Sequence, residues 1–467
     1  MAFIKSEVGC QKREDEMKSF SWALTILVPV AVMFIPTGEI FTETTRFFVA
    51  VTLAFIICVA FENLPYLIPS IILPLAYVLT DLAPASAVFA PWMTFIPWMF
   101  LGGFLFANVL QRTGLLKRIA YWFIIKSGGS YNGILYALMF AGIVLNLLLP
   151  RQIVIPMAAL TFGLCMALNL GRSKEAAGIM LTGAFAALLP AYFIYNPNLA
   201  IILGVGSEVA PEYTVTWGQY LYHKLPAVFW CFFMVFVTSK VFKPDKEIDV
   251  KDYVVEEYSK LGSMTINEKK GIFICLLLFV FLITSSIHGI EMGWGFAIAA
   301  CLAFMPGIAI GREQDIKEVN FSIIFFVTAC MAMGQVANYH GMGAMLSAAF
   351  LPLVENTGPT VTIMLVWGLV FLVNILLTPL AIMASLTAPL TQVALDVGIN
   401  PIVFYYTIYQ AIDQVLLPYQ YTLYLIFFTY GLIRMLDFIK IFAIKMVLHI
   451  VFMVAILIPW WKLIGLI

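Results

Sequence analysis

Arg151 follows Pro150 inside an otherwise apolar stretch. A charge at membrane mid-depth costs at least ~2.5–3.5 kcal/mol, so it has to face a cavity or a partner. The residues alone leave three uses open: a fixed cation for an anionic substrate, a salt bridge to Asp413, or both in turn. In the third, Asp413 releases Arg151 to the substrate or itself carries a proton. A position shallower than mid-depth would remove the need for any of them. Gln152, Thr378, Ser385, Thr387, Gln410, Gln414, Gln420 and Thr422 are further polar candidates, each equally able to satisfy a neighbouring helix's carbonyl. Tyr192, Tyr195, Tyr419, Tyr421 and Tyr424 could ring an organic substrate or donate to its oxygens. Glu62, near a turn, reads as a helix-end residue. All of this is the chemistry of binding an anion, not of breaking a bond. The four histidines are dispersed, which argues against haem or copper, and the seven cysteines lack CxxC spacing and read as buried hydrophobes.

The elements that position these groups belong to a bilayer. Of 467 residues, 62% are apolar and 11% charged, against ~45–50% and ~25% in soluble domains. At ~30 residues per span and loop the length allows roughly ten to twelve helices, and the expectation is an all-α polytopic membrane protein of about eleven spans. Basic and acidic residues balance at 26 each, which leaves no field for nucleic acid. Residues 1–19 are polar and of mixed charge, an ordinary cytoplasmic tail and not a signal peptide.

Apolar runs place helices at 20–36, 47–61, 64–80, 92–110, 222–241, 271–287, 290–309, 321–338 and 441–461. Stretches 132–168, 176–207, 360–395 and 402–433 are interrupted by Pro, Asn or Gly. With the N-terminus inside, 22 of 26 basic residues, Lys445 among them, sort to cytoplasmic segments. Arg46, Lys224 and Lys462 fall outside, and Arg151 is left over. The count works only if 132–168 and 360–395 are re-entrant hairpins entering from opposite faces. The plan is then a first helix at 20–36, a repeat at 37–241 (hairpin 132–168, broken helix 176–207) and a cytoplasmic linker at 242–270. A second repeat fills 271–467 (hairpin 360–395, broken helix 402–433) and places the C-terminus opposite the N-terminus. The setting is a cell (inner) membrane.

The halves share landmarks at one offset. Gly114 and Gly341 are 227 apart, Asn146 and Asn374 are 228 apart, and so are Leu189–Pro190 and Leu417–Pro418. The linker makes the repeat inverted. Inverted repeats with broken helices are the architecture of secondary transporters, whose substrates bind where unwound backbone offers polar groups at mid-depth. An anion channel is the alternative of another class.

The residues resemble the divalent anion/sodium symporter family, the sodium–dicarboxylate, citrate and sulfate carriers. The likeness rests on FENLPYLIPSIILPL, FLGGFLFANVLQRTGLLKRIA, EVNFSIIFFVTACMAMGQ and LPYQYTLYLIFFTYGLIRMLDFIK, and covers the chain from about residue 20. It implies a homodimer with an elevator motion, in which 132–221 and 360–440 move and the interfacial helices 111–120 and 340–349 are connecting arms. It also implies substrate binding by the hairpin tips and broken helices, which here carry Asn146, Asn374, Asn196 and Asn198; Arg151, Thr378, Gln420 and Thr422, from the polar residues above, complete the expected substrate-binding set. The family's Ser-Asn-Thr tips are here Leu145-Asn146-Leu147 and Val373-Asn374-Ile375, and Pro418-Tyr419-Gln420-Tyr421-Thr422 stands for Gly-Thr-Pro-Pro. The expectation is therefore a carrier of di- or tricarboxylate-type anions working by sodium-independent exchange, with Arg151 supplying fixed charge and no cofactor. Sodium- or proton-coupled symport through Asp413, Asn146 and Asn374, with sodium ions bound, stays open.

Overall fold

The computed structural model describes residues 19–38, 41–61, 63–245, 250–340, 351–354, 357–375 and 377–467. Regular structure among them is helical throughout, with no strand. Glu62, Gly341, the tail to residue 18 and the second connecting arm from 341 lie outside the described residues, as does the Tyr419 side chain. Two compact units interleave along the chain. One takes the chain up to Pro97, Ile201–Tyr213 and Asn320–Tyr409; the other takes Trp98–Ala200, Thr214–Val319 and Gln410–Ile467. The units cut across both halves expected from the sequence.

In the first unit, helices Leu67–Leu79 and Pro379–Asp396 pack on Phe321–Tyr339, and Glu43–Ala60 packs on those two. Phe48, Phe55, Val59, Leu73, Tyr77 and Phe326 form their core. Tyr77 keeps its hydroxyl satisfied there through Thr52 at 2.7 Å. Helix Pro359–Val373 ends at Asn374, and the chain turns into Pro379–Asp396, whose start is set by Thr378 as cap and Pro379 at the first position.

The second unit is built around Lys174–Leu188, a helix buried at every position from Ala176 to Leu188. Its sequence, KEAAGIMLTGAFAAL, is short-chained enough for three helices to close on it: Tyr131–Leu148, Val154–Ala167 and Pro226–Val241. At Gly142 the two backbones come close, since a Cβ there would run into the Ala186 carbonyl. Polar clasps with a charged partner tie segments of this unit together. Arg118 holds Glu268 at 2.6 Å, Arg112 holds Asp315 at 2.7 Å, Lys174 meets Asp245 at 2.6 Å, and Arg434 donates to the Arg172 carbonyl at 3.2 Å. At the far end of Pro226–Val241 and of Met435–Leu463, Trp460 and Trp461 donate to the carbonyls of Tyr222 and His223 at 3.1 and 3.0 Å. The linker contains a helix, Lys251–Lys260, packed on Leu115–Lys126.

Among the described residues three helices are long and apolar enough to cross a membrane: Tyr131–Leu148, Lys174–Ser207 and Met435–Leu463. Counting two bent pairs raises this to five, and six shorter apolar helices accompany them. That is fewer continuous spans than the eleven or so expected, because Gly and Pro divide the apolar runs. Gly114, for example, takes a left-handed φ of +85° where Phe95–Thr113 and Leu115–Lys126 bend by 62°. The cysteine reading holds for Cys58, Cys165, Cys231, Cys275 and Cys330, which are buried, but Cys301 is exposed.

Candidate anion-binding site

Within the second unit, the Tyr131–Leu148 helix stops at Pro150, which cannot continue it, and resumes at Val154–Ala167. Between them Arg151 adopts a left-handed φ of +63°, uncommon for a residue with a side chain. Asn146 imposes that turn. Its Oδ1 accepts the Arg151 N–H at 2.9 Å, and its Nδ2 donates to the carbonyls of Gly142, Ala186 and Ala187 at 2.8, 3.2 and 3.2 Å. The amide is thus engaged with backbone and pins the tip to the central helix. The Arg151 guanidinium is buried, its Cζ 5.5 Å from the Tyr421 ring centroid.

Two chain breaks meet beside this tip. After Lys174–Leu188 a 3-10 turn runs over Leu189–Tyr192, and Asn196 then starts Pro197–Ser207 by accepting the N–H groups of Asn198 and Leu199 at 3.2 and 3.4 Å. Asn196 also donates to the Ala191 and Ile194 carbonyls at 2.9 and 3.1 Å. Asn198 donates to the Tyr421 hydroxyl at 3.1 Å, tying the first break to the second. The second break is closed by Gln420, whose Oε1 accepts Leu416 and Leu417 N–H at 2.6 and 2.7 Å. Thr422 opens Thr422–Thr429 and is exposed. A narrow cleft lined by Phe100, Gly103, Pro150, Gln152, Asn196 and Pro197 holds about 30 Å³, room for a water but not for a dicarboxylate in this conformation.

Asp413 has Lys445 as its ion partner, which reaches in from the Met435–Phe452 helix to its Oδ2 at 2.7 Å. Hydroxyls of Tyr192 and Tyr424 donate to the same carboxylate at 2.8 and 3.1 Å, and Gln414 donates to the Tyr192 hydroxyl at 3.1 Å. Lys445 and Lys224, which fall on opposite sides in the charge count, are both fully buried. His449 is fully buried as well, its ring 5.9 Å from that of Tyr192. The signal for this cluster is present in the run FAIKMVLHI, where Lys445 and His449 share a helix face inside apolar sequence. The buried amide of Gln410 has no hydrogen-bond partner among the described residues.

The remaining candidates belong to the first unit. Asn374 is buried, and its backbone N–H bonds the Val370 carbonyl at 2.9 Å. Thr378 accepts the Ala381 N–H at 3.4 Å, while Ser385 and Thr387 donate to carbonyls of their own helix at 2.8 and 2.7 Å. Asn146, Arg151, Asn196, Asn198, Asp413, Gln420 and Thr422 thus share one unit, and Asn374 and Thr378 lie in the other.

Residues 16–467 match the family described as the sodium:sulfate symporter transmembrane region. Two curated relatives, both named dicarboxylate transporter 1, chloroplastic, from Spinacia oleracea and Arabidopsis thaliana, are each 24% identical to the chain. Each match covers 76% of this chain but 63% and 64% of those proteins, so the chain spans under two thirds of their length. Of solved structures, the YdaH transporter of Alcanivorax borkumensis aligns over 84% of this chain and 88% of that one, with a TM-score of 0.53 at 18% identity. That likeness is one of fold.

Proposed function

The chain belongs to the sodium:sulfate symporter transmembrane family, and on that premise we propose that it is a secondary carrier of small di- or tricarboxylate-type anions, working by alternating access. It is a multi-pass membrane transporter and not an enzyme. The observation that carries the substrate reading is Arg151: a buried guanidinium set against Tyr421, on a helix break whose backbone Asn146 holds. A bidentate cation in a low-dielectric break is what a carboxylate requires. In this reading Arg151 binds the anion, Asn198 and Tyr421 line its path, and Asn146, Asn196 and Gln420 keep the breaks in shape. Thr422 contributes from the second broken helix.

The coupling mode we favour is sodium-independent exchange. The tip positions beside Asn146 and Asn374 are Leu145, Leu147, Val373 and Ile375, whose side chains offer no oxygen to an ion. A homodimer with elevator motion, two inverted repeats and a cytoplasmic N-terminus in a cell membrane complete the proposal.

The test is counterflow of a C4 dicarboxylate in proteoliposomes. Saturable counterflow that is equal in sodium and choline buffers is expected. Conductance without counterflow would make the protein a channel, and strict sodium dependence would reject exchange. Asp413, with Lys445 and two tyrosine hydroxyls around it, favours one second reading, proton-coupled symport. Net uptake driven by a pH gradient alone would establish it.

A further inference from the structure

The polar centre at Asp413 holds an ion that the substrate reading leaves unused. Lys445 buries its entire side chain, and its ammonium meets three oxygens of the second break. Asp413 Oδ2 lies at 2.7 Å, the Asp413 carbonyl at 2.6 Å and Gln414 Oε1 at 3.5 Å. A carboxylate, a backbone carbonyl and an amide oxygen converging just past a helix C-terminus form the donor set of a cation site. The preceding helix, Pro401–Ala411, adds the negative end of its dipole. Tyr192 and Tyr424 donate to the Asp413 carboxylate and keep it aimed at the ion. The rings of Tyr424 and Phe442, at 5.8 and 5.6 Å from Nζ, close the apolar side.

We propose that the oxygens of Asp413 and Gln414 form a monovalent-cation site whose occupant is the chain's own Lys445 ammonium. A tethered cation neutralises the break permanently and cannot dissociate, so this site adds no free ion to the transport cycle. The consequence for coupling rests on the exchange reading above; the site itself does not.

The test reads binding and not transport. Wild-type and Lys445→Ala chains in detergent are melted in sodium, n-propylammonium and choline chloride at matched ionic strength, n-propylammonium supplying the atoms that truncation removes. The Tm of Lys445→Ala should rise saturably by several degrees in sodium and in n-propylammonium but not in choline, as for any ligand of the native state. Wild type should be indifferent to the three salts, and Asp413→Asn combined with Lys445→Ala should lose the response. A Lys445→Ala chain that melts alike in all three salts, responds to n-propylammonium alone, or is not recovered folded in sodium overturns the site. So does a wild type that responds to sodium as strongly as the variant. Absence of counterflow in the earlier assay would refute the exchange reading and leave this result untouched.

Discussion

At the scale of single residues, Arg151 combines a strained backbone with a buried charge, and the two can be separated. Glycine adopts φ of +63° without the ~1–2 kcal/mol that an L side chain costs there. Arg151→Gly should therefore keep or raise Tm while abolishing the cation. If the guanidinium binds substrate, losing its charge-assisted bonds of about 1.5–3 kcal/mol lowers dicarboxylate exchange tenfold or more. Arg151→Lys, a point charge without the planar fork, should restore part of it. Counterflow beside a melting curve decides the matter: a destabilised Arg151→Gly with normal exchange would make the residue structural. Asn146→Ala should behave oppositely. It strips the Arg151 N–H of its acceptor and three carbonyls of a donor, and should lower stability by about 3 kcal/mol, read as loss of folded protein in detergent.

At the scale of elements, contact between the Tyr131–Leu148 and Lys174–Leu188 helices is set by the absence of a side chain at Gly142. Gly142→Ala drives a methyl into the Ala186 carbonyl, a backbone atom that cannot step aside. A cost of about 1–3 kcal/mol is expected, together with loosening of the tip that Asn146 pins. Gly163, in Val154–Ala167, has nothing within 4 Å of a built Cβ, and Gly163→Ala should stabilise by up to ~1 kcal/mol through helix propensity. Opposite Tm shifts for the two substitutions check the helix packing directly.

Across the whole molecule, clasps tie distant segments of the second unit together through carboxylates outside the expected spans: Arg118 to Glu268, 150 positions on, and Arg112 to Asp315, 203 positions on. Burial raises the Glu268 carboxyl, but the Arg118 side chain and the Thr265 hydrogen bonds outweigh it, and the net shift is downward from 4.5. Asp315 is lowered from 3.8 in the same way, burial being outweighed by Arg112 and the Arg312 backbone. Depressed folded values mean that the unfolded chain binds protons first as pH falls. The stabilisation is complete above about pH 4.5 and is lost as pH drops through the folded values. The Tm difference between wild type and Glu268→Gln should hold from pH 7 to about 4.5 and close as the pH falls further toward 3. Glu268→Gln, which leaves Arg118 without its counter-charge, should cost about 3–5 kcal/mol at pH 7 and flatten the acid limb.

Composition and local pattern by themselves determined the solvent of this protein, its helical class and the places where helices break. Apolar runs and prolines act over a few residues: Pro150, Leu189–Pro190 and Leu417–Pro418 interrupt helices whatever surrounds them. The family likeness was legible for the same reason, in short motifs spread along the chain. Partnerships were not legible. Lys445 reads as one more cation near a cytoplasmic end until packing brings it to Asp413, 32 positions away. Asn146 reads as a polar group at a hairpin tip, but its bonds to the Ala186 and Ala187 carbonyls, 40 and 41 positions on, do not show along the chain. A buried polar group takes whichever partner the tertiary fold delivers, because leaving it unpaired costs more than any local preference decides. The breaks could be read along the chain; which charge sits in each break was decided only in three dimensions.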